Sequence, residues 1–92
     1  VDEENCKGAP DLVVEVLSEG TRRYDLVRKR ALYERAGVQE YWVVDPGIDE
    51  VRVFRAEAGR YAPAAVLAAE TGDALSSPLL PGLTLPLAEL FA

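Results

Sequence analysis

Two apolar segments flank a stretch free of proline and glycine within about 35 residues, and this order admits few folds. The first, Leu12-Val13-Val14-Glu15-Val16-Leu17, reads as a strand over residues 11 to 17. Ser18-Glu19-Gly20-Thr21 then offers a hydroxyl cap for a helix running from Arg22 to Ala36, with Gly37 placed where a left-handed glycine ends a helix. Glu40-Tyr41-Trp42-Val43-Val44 is β-branched and aromatic and is closed by the turn signal Asp45-Pro46-Gly47. Strand, helix and strand in this order predict two parallel strands joined by a right-handed βαβ crossover.

The remaining elements extend that unit into a mixed sheet. Val51-Arg52-Val53-Phe54-Arg55 alternates with period two and is expected to pair antiparallel to residues 40 to 44. Arg60 to Leu67 reads as an edge strand weakened by Pro63. From Ser76 onward, Pro78, Pro81 and Pro86 suggest an extended cover that ends in a short helical turn from Leu87 to Phe91. The fold class is therefore α/β, one domain over residues 1–92.

A first strand apolar on both faces belongs in the middle of a sheet. The chain has no methionine, and its polar opening residues lead straight into that strand. A domain lacking its N-terminal part is the expectation, with the open strand edge covered by a second copy to give a homodimer.

Within the first strand Glu15 is the anomaly. Burying a lone carboxylate costs several kcal/mol unless it is protonated, paired or bound to a cation, so Glu15 is the leading candidate site residue. Side chains alternate along a strand, which puts Asp11 and Glu15 on one face but about 13 Å apart, too far to share one metal ion. Asp11 is thus a strand-entry residue, and a metal site at Glu15 needs a second acid from another element.

Composition removes several chemistries. With no histidine and a single cysteine, Cys6, zinc fingers, Cys-His pairs and Ser-His triads are excluded, leaving carboxylates, lysine, arginine and hydroxyls. There is no run of 18 apolar residues, and the acidic start Val1-Asp2-Glu3-Glu4 is unlike a signal peptide, so a cytoplasmic protein without a membrane partner is expected. The net charge of −6 disfavours polyanions, yet Arg22, Arg23, Arg28, Lys29, Arg30 and Arg35 gather six of the ten basic residues within fourteen positions. That local patch keeps a phosphate-bearing substrate open.

On the helix, Tyr24, Val27 and Ala31 give one apolar stripe, while Asp25, Lys29 and Tyr33 fall at i, i+4 and i+8 on another. Glu15 paired with Lys29 or an arginine as a plain structural ion pair is one reading of these residues. Asp25 paired with Lys29, Tyr33 as a packing residue, and Tyr41 and Trp42 as core or rim aromatics belong to the same reading.

Three blocks in order carry a further resemblance. Gly8-Ala9-Pro10-Asp11-Leu12-Val13-Val14-Glu15-Val16-Leu17-Ser18, then Asp25, Lys29 and Tyr33, then Ala36-Gly37-Val38-Gln39-Glu40-Tyr41-Trp42-Val43-Val44-Asp45-Pro46 resemble the Uma2 family (DUF820), with Pro81-Gly82-Leu83-Thr84-Leu85 matching more loosely. The resemblance implies an endonuclease of the restriction-endonuclease-like superfamily, with this chain as the C-terminal portion of the fold. The usual site there joins an Asp on one strand to Glu-x-Lys on the next and binds Mg²⁺.

Carried onto this chain, the resemblance makes Glu15 the Glu of that motif and gives Val16 the role of offering its carbonyl to Mg²⁺ or Mn²⁺. Leu17 stands where the lysine would be, and Lys29 from the helix takes its place. The upstream Asp has no counterpart in this sequence. The implied activity is metal-dependent hydrolysis of DNA, with this chain an incomplete catalytic half. The alternative is a non-catalytic nuclease-like scaffold acting in assembly, in which Glu15 and Lys29 are only an ion pair.

Overall fold

The structure, a computed structural model, describes residues 11–18 and 23–92. The cap expected from Glu19 to Thr21, the Gly8–Pro10 part of the first family block, and the side chains of Tyr24 and Asp25 lie outside the described residues. Strand β1 (Leu12–Val16), helix α1 (Arg23–Ala36) and strand β2 (Glu40–Asp45) form the expected βαβ unit, β1 and β2 being parallel from Leu12↔Glu40 to Val16↔Val44. Gly37 ends α1 at φ 89°, with its N–H on the Glu34 carbonyl and the Val38 N–H on that of Tyr33. This is a Schellman closure, which needs the left-handed conformation that glycine adopts without a Cβ penalty.

Strand β3 (Glu50–Glu57) returns antiparallel to β2, and the Asp45 carboxylate accepts from the Gly47 N–H within the connecting turn. The expected strand over residues 60 to 67 is present but broken into β4 (Arg60–Tyr61) and β5 (Ala65–Ala68), both antiparallel to β3. The Ala56↔Tyr61 and Val53↔Ala65 pairs differ in register by one residue, so the interruption containing Pro63 absorbs an extra position. Strands β6 (Ala74–Ser77) and β7 (Leu80–Pro86) make a separate hairpin, followed by the turn-length helix α2 (Leu87–Leu90). The tail is thus a paired cover where a merely extended one was expected.

Alternation divides the core between the two faces of the five-stranded sheet. Tyr41, Val43 and Phe54 pack with Leu17, Leu26 and Tyr33 beneath α1. Trp42, Val44, Val51 and Val53 pack with Leu75 and Leu87 beneath the hairpin and α2.

Among the described residues, strand β1 does not have the central, doubly buried position that its composition suggests. It terminates the strand order β1-β2-β3-β4, and Val14 and Val16 are 47% and 63% exposed. Its apolar residues thus lie on an edge that has no neighbouring strand among the described residues. No helix among the described residues is long and apolar enough to cross a membrane.

Candidate active site

Strand alternation places Glu15 on the α1 face of β1, beside Val43 of β2. Helical spacing then brings Lys29 and Tyr33, one turn apart, over the same carboxylate. Lys29 Nζ donates to Glu15 Oε1 at 3.1 Å across 14 positions of sequence, and the Tyr33 hydroxyl makes a longer contact of 3.3 Å to Oε2. The Lys29 and Glu15 side chains are 37% and 25% exposed, so the pair is partly shielded yet open to solutes.

Tyr33 does more than the packing expected of it. Its ring lies 5.0 Å from that of Tyr41, within the aromatic group that seats α1, and its hydroxyl still reaches Glu15. The i, i+4 spacing with Lys29 was the sequence signal for this, since two side chains one turn apart address the same point on the sheet.

Asp11 enters the strand exposed, with its carbonyl accepting the Glu40 N–H. The bonds from Glu40 N–H to Asp11 and from Leu17 N–H to Val44 show that the odd residues of β1 serve the ladder to β2. The period of two then directs the Val16 carbonyl toward the open edge. Glu15 and the Val16 carbonyl are hard oxygen donors of the kind that Mg²⁺ or Mn²⁺ accepts, so they fit such an ion in kind. Among the described residues, no group of three or more His, Cys, Asp or Glu side chains stands close enough to hold a metal ion.

Among the described residues, the most enclosed carboxylate is a different one. Glu40 is 2% exposed on the opposite face of β2, where its oxygens accept from Trp42 Nε1 at 2.6 Å, Ser77 Oγ at 2.9 Å and Arg55 Nε at 3.1 Å. Arg55 also donates through Nη2 to the Ser76 carbonyl at 2.8 Å. This fully engaged acid fastens the β6–β7 hairpin to the sheet. Glu40 and Trp42 share strand parity, and Arg55 lies opposite Glu40 in register, which is the pattern that sequence could have offered.

Beyond the Glu15 pair, a groove of about 380 Å³ between α1 and the β2–β3 turn is lined by Leu17, Val27, Arg30, Ile48, Arg52 and Phe54 among others. The Arg30 guanidinium stands 5.7 Å from the centre of the Phe54 ring. Near the far edge of the sheet, burial pushes the Tyr61 hydroxyl up to about 12, with Glu34 and Tyr33 adding to the shift.

The sequence model of the Uma2 family, described as "Putative restriction endonuclease", matches residues 2–88. The chain is also similar to a solved structure described as that of "a putative nuclease belonging to DUF820 from Anabaena variabilis ATCC 29413", with TM-score 0.77 and 25% identity. That likeness covers 91% of this chain and 45% of the other, so the chain spans less than half the length of this relative. No curated protein matches it. The mixed α/β architecture with its βαβ crossover is thus the fold of a nuclease-like structure.

Proposed function

The chain belongs to the Uma2 family, and on that premise we propose that Glu15, Lys29 and Tyr33 serve a centre that hydrolyses phosphodiester bonds of DNA. The observation that carries this reading is the 3.1 Å contact between Lys29 and Glu15, which brings a cation from the crossover helix to an acid on the edge strand.

Glu15 and the Val16 carbonyl are the groups that would hold Mg²⁺ or Mn²⁺. The ion, when bound, supplies Lewis-acid polarisation of a phosphate oxygen and lowers the pKa of a bound water. Mg²⁺ asks for about six oxygen donors, of which Glu15 and the Val16 carbonyl would supply only part. Lys29 places a positive charge at the rim of the site, where it orients an attacking water and offsets negative charge that builds on the phosphate. Tyr33 holds the second carboxylate oxygen and thereby fixes the rotation of the Glu15 side chain. The partial exposure of the pair leaves a route for a substrate.

Cleavage of duplex DNA by the full-length protein in Mg²⁺ tests the assignment. Glu15→Gln and Lys29→Ala are each expected to reduce the rate at least about 100-fold, as loss of a positioned charge or proton carrier does. Unchanged cleavage in either variant contradicts the assignment and leaves the pair a structural one. Pairing of a second copy along the open β1 edge belongs to the same proposal, and light scattering that finds a monomer at high concentration counts against it.

A further inference from the structure

The groove between α1 and the β2–β3 turn adjoins Glu15, and strand register fixes its place. Glu15 on β1 is level with Val43 on β2, and Val43 with Arg52 on β3, so the three side chains form one row on the α1 face. At about 4.8 Å between strands, Arg52 stands about 10 Å across the sheet from Glu15, with Val43 between them. Val43 and Arg52 both line the groove, as does Leu17, the next residue after Glu15 on that face of the chain. The groove therefore lies over β2 and β3, inboard of the open β1 edge.

Two features of the lining say what enters it. The first is charge. Arg30 and Arg52 are exposed, and neither stands in an ion pair with a described carboxylate. The Arg30 guanidinium lies 5.7 Å from the centre of the Phe54 ring, a contact that steadies it without neutralising it. Phe54 and Arg52 are two residues apart on one face of β3, so both cations serve the same end of the groove. At the other end, by the turn, stand Asp45 and Glu50. A phosphate is thus drawn to the arginine end and repelled from the turn end.

The second feature is apolar. Val27 of α1 and Ile48 of the turn are more than half exposed, and both line this groove. Its volume of about 380 Å³ suits one small ligand. A flat ring carrying a phosphate at one end matches both features.

We infer that this groove is a subsite for one unpaired nucleotide of the DNA strand, next to the phosphodiester served by Glu15. Arg30 and Arg52 hold its phosphate, and its base lies between Val27 and Ile48. The inference rests on the nuclease reading above and names the form of DNA that the site takes. A base within a duplex is hidden in the stack and must be extruded before it can enter such a groove, whereas a single strand presents it without that cost. Arg52 is in this account a positioning residue.

The test is binding of a labelled single-stranded oligonucleotide, and of its duplex, by the full-length protein in EDTA, read by fluorescence anisotropy across a salt series. The single strand should bind more tightly than the duplex. Arg52→Ala should weaken single-strand binding about 10-fold and lower the slope of log K against log salt by about 0.7, the share of one phosphate. Arg52→Lys should keep the wild-type slope, which separates charge from a folding defect. Ile48→Ser should weaken binding about 5-fold at an unchanged slope, since it removes apolar contact and no charge. In Mg²⁺, Arg52→Ala should raise KM for single-strand cleavage and leave kcat within about two-fold. A wild-type slope in Arg52→Ala, as a groove that holds a peptide segment would give, overturns the subsite alone, and so does tighter binding of the duplex than of the single strand. Full cleavage by Glu15→Gln overturns the nuclease reading alone. Wild-type protein that binds neither form and cleaves neither in Mg²⁺ overturns both.

Discussion

Tyr61 brings a hydroxyl into the sheet's α1 face, where it finds no hydrogen-bond partner among the described residues. Its pKa rises from 10.0 to about 12, chiefly through burial and then through Glu34 and Tyr33. A folded state that holds this proton more tightly than the unfolded chain gains stability that is complete below pH 10 and is lost as pH climbs to about 12. Tyr61→Phe should flatten the fall in the urea-unfolding midpoint across that window, and it should leave stability at neutral pH unchanged or raised because an unsatisfied polar group is removed. An unaltered alkaline profile contradicts this account. The same scale shows what the sequence carries about the site. Glu15 stands out as an acid in an apolar strand, and Lys29 with Tyr33 at one-turn spacing is readable beside it. That the Tyr33 hydroxyl reaches the carboxylate depends on how the ring seats against Tyr41, a packing detail that periodicity does not encode.

Elements differ in how much of their environment a sequence reveals. Helix α1 and strands β2 and β3 follow from local signals, namely the closing Gly37, the Asp45-Pro46-Gly47 turn and the period of two after Val51. Strand β1 has the composition of a central strand but lies at an edge of the described sheet, because composition reports apolarity and not which neighbour covers it. Glu40 was legible only as part of a strand, since Ser77 comes from 37 positions away to complete its partners. The network makes a prediction for the hairpin as a unit. Glu40→Ala should cost about 3 kcal/mol, because Trp42, Ser77 and Arg55 lose their shared acceptor. The expected fall in Tm exceeds about 10 °C in thermal unfolding. Glu15→Gln, which disrupts a half-exposed pair, should cost no more than about 1 kcal/mol. Equal costs for the two substitutions would contradict the division between an anchoring acid and a chemically available one.

For the molecule as a whole, the two sheet faces have separate tasks. The hairpin face is closed by Glu40 and a packed cover. The helix face presents the partly exposed Glu15, Lys29 and Tyr33. The fold and family were legible because three spaced motifs agree with the βαβ order. A metal-binding set is not legible in full, because the ligands of such a site converge from different elements, and Glu15 and Val16 are the two groups for which a role is proposed. The central claim is that the Glu15 carboxylate is a divalent-cation ligand and not merely the partner of Lys29. Calorimetric titration of the full-length protein with Mg²⁺ or Mn²⁺ tests it most directly. Saturable binding in the wild type that disappears in Glu15→Gln, with the variant still folded, is the predicted result. Identical isotherms for the two proteins would contradict it.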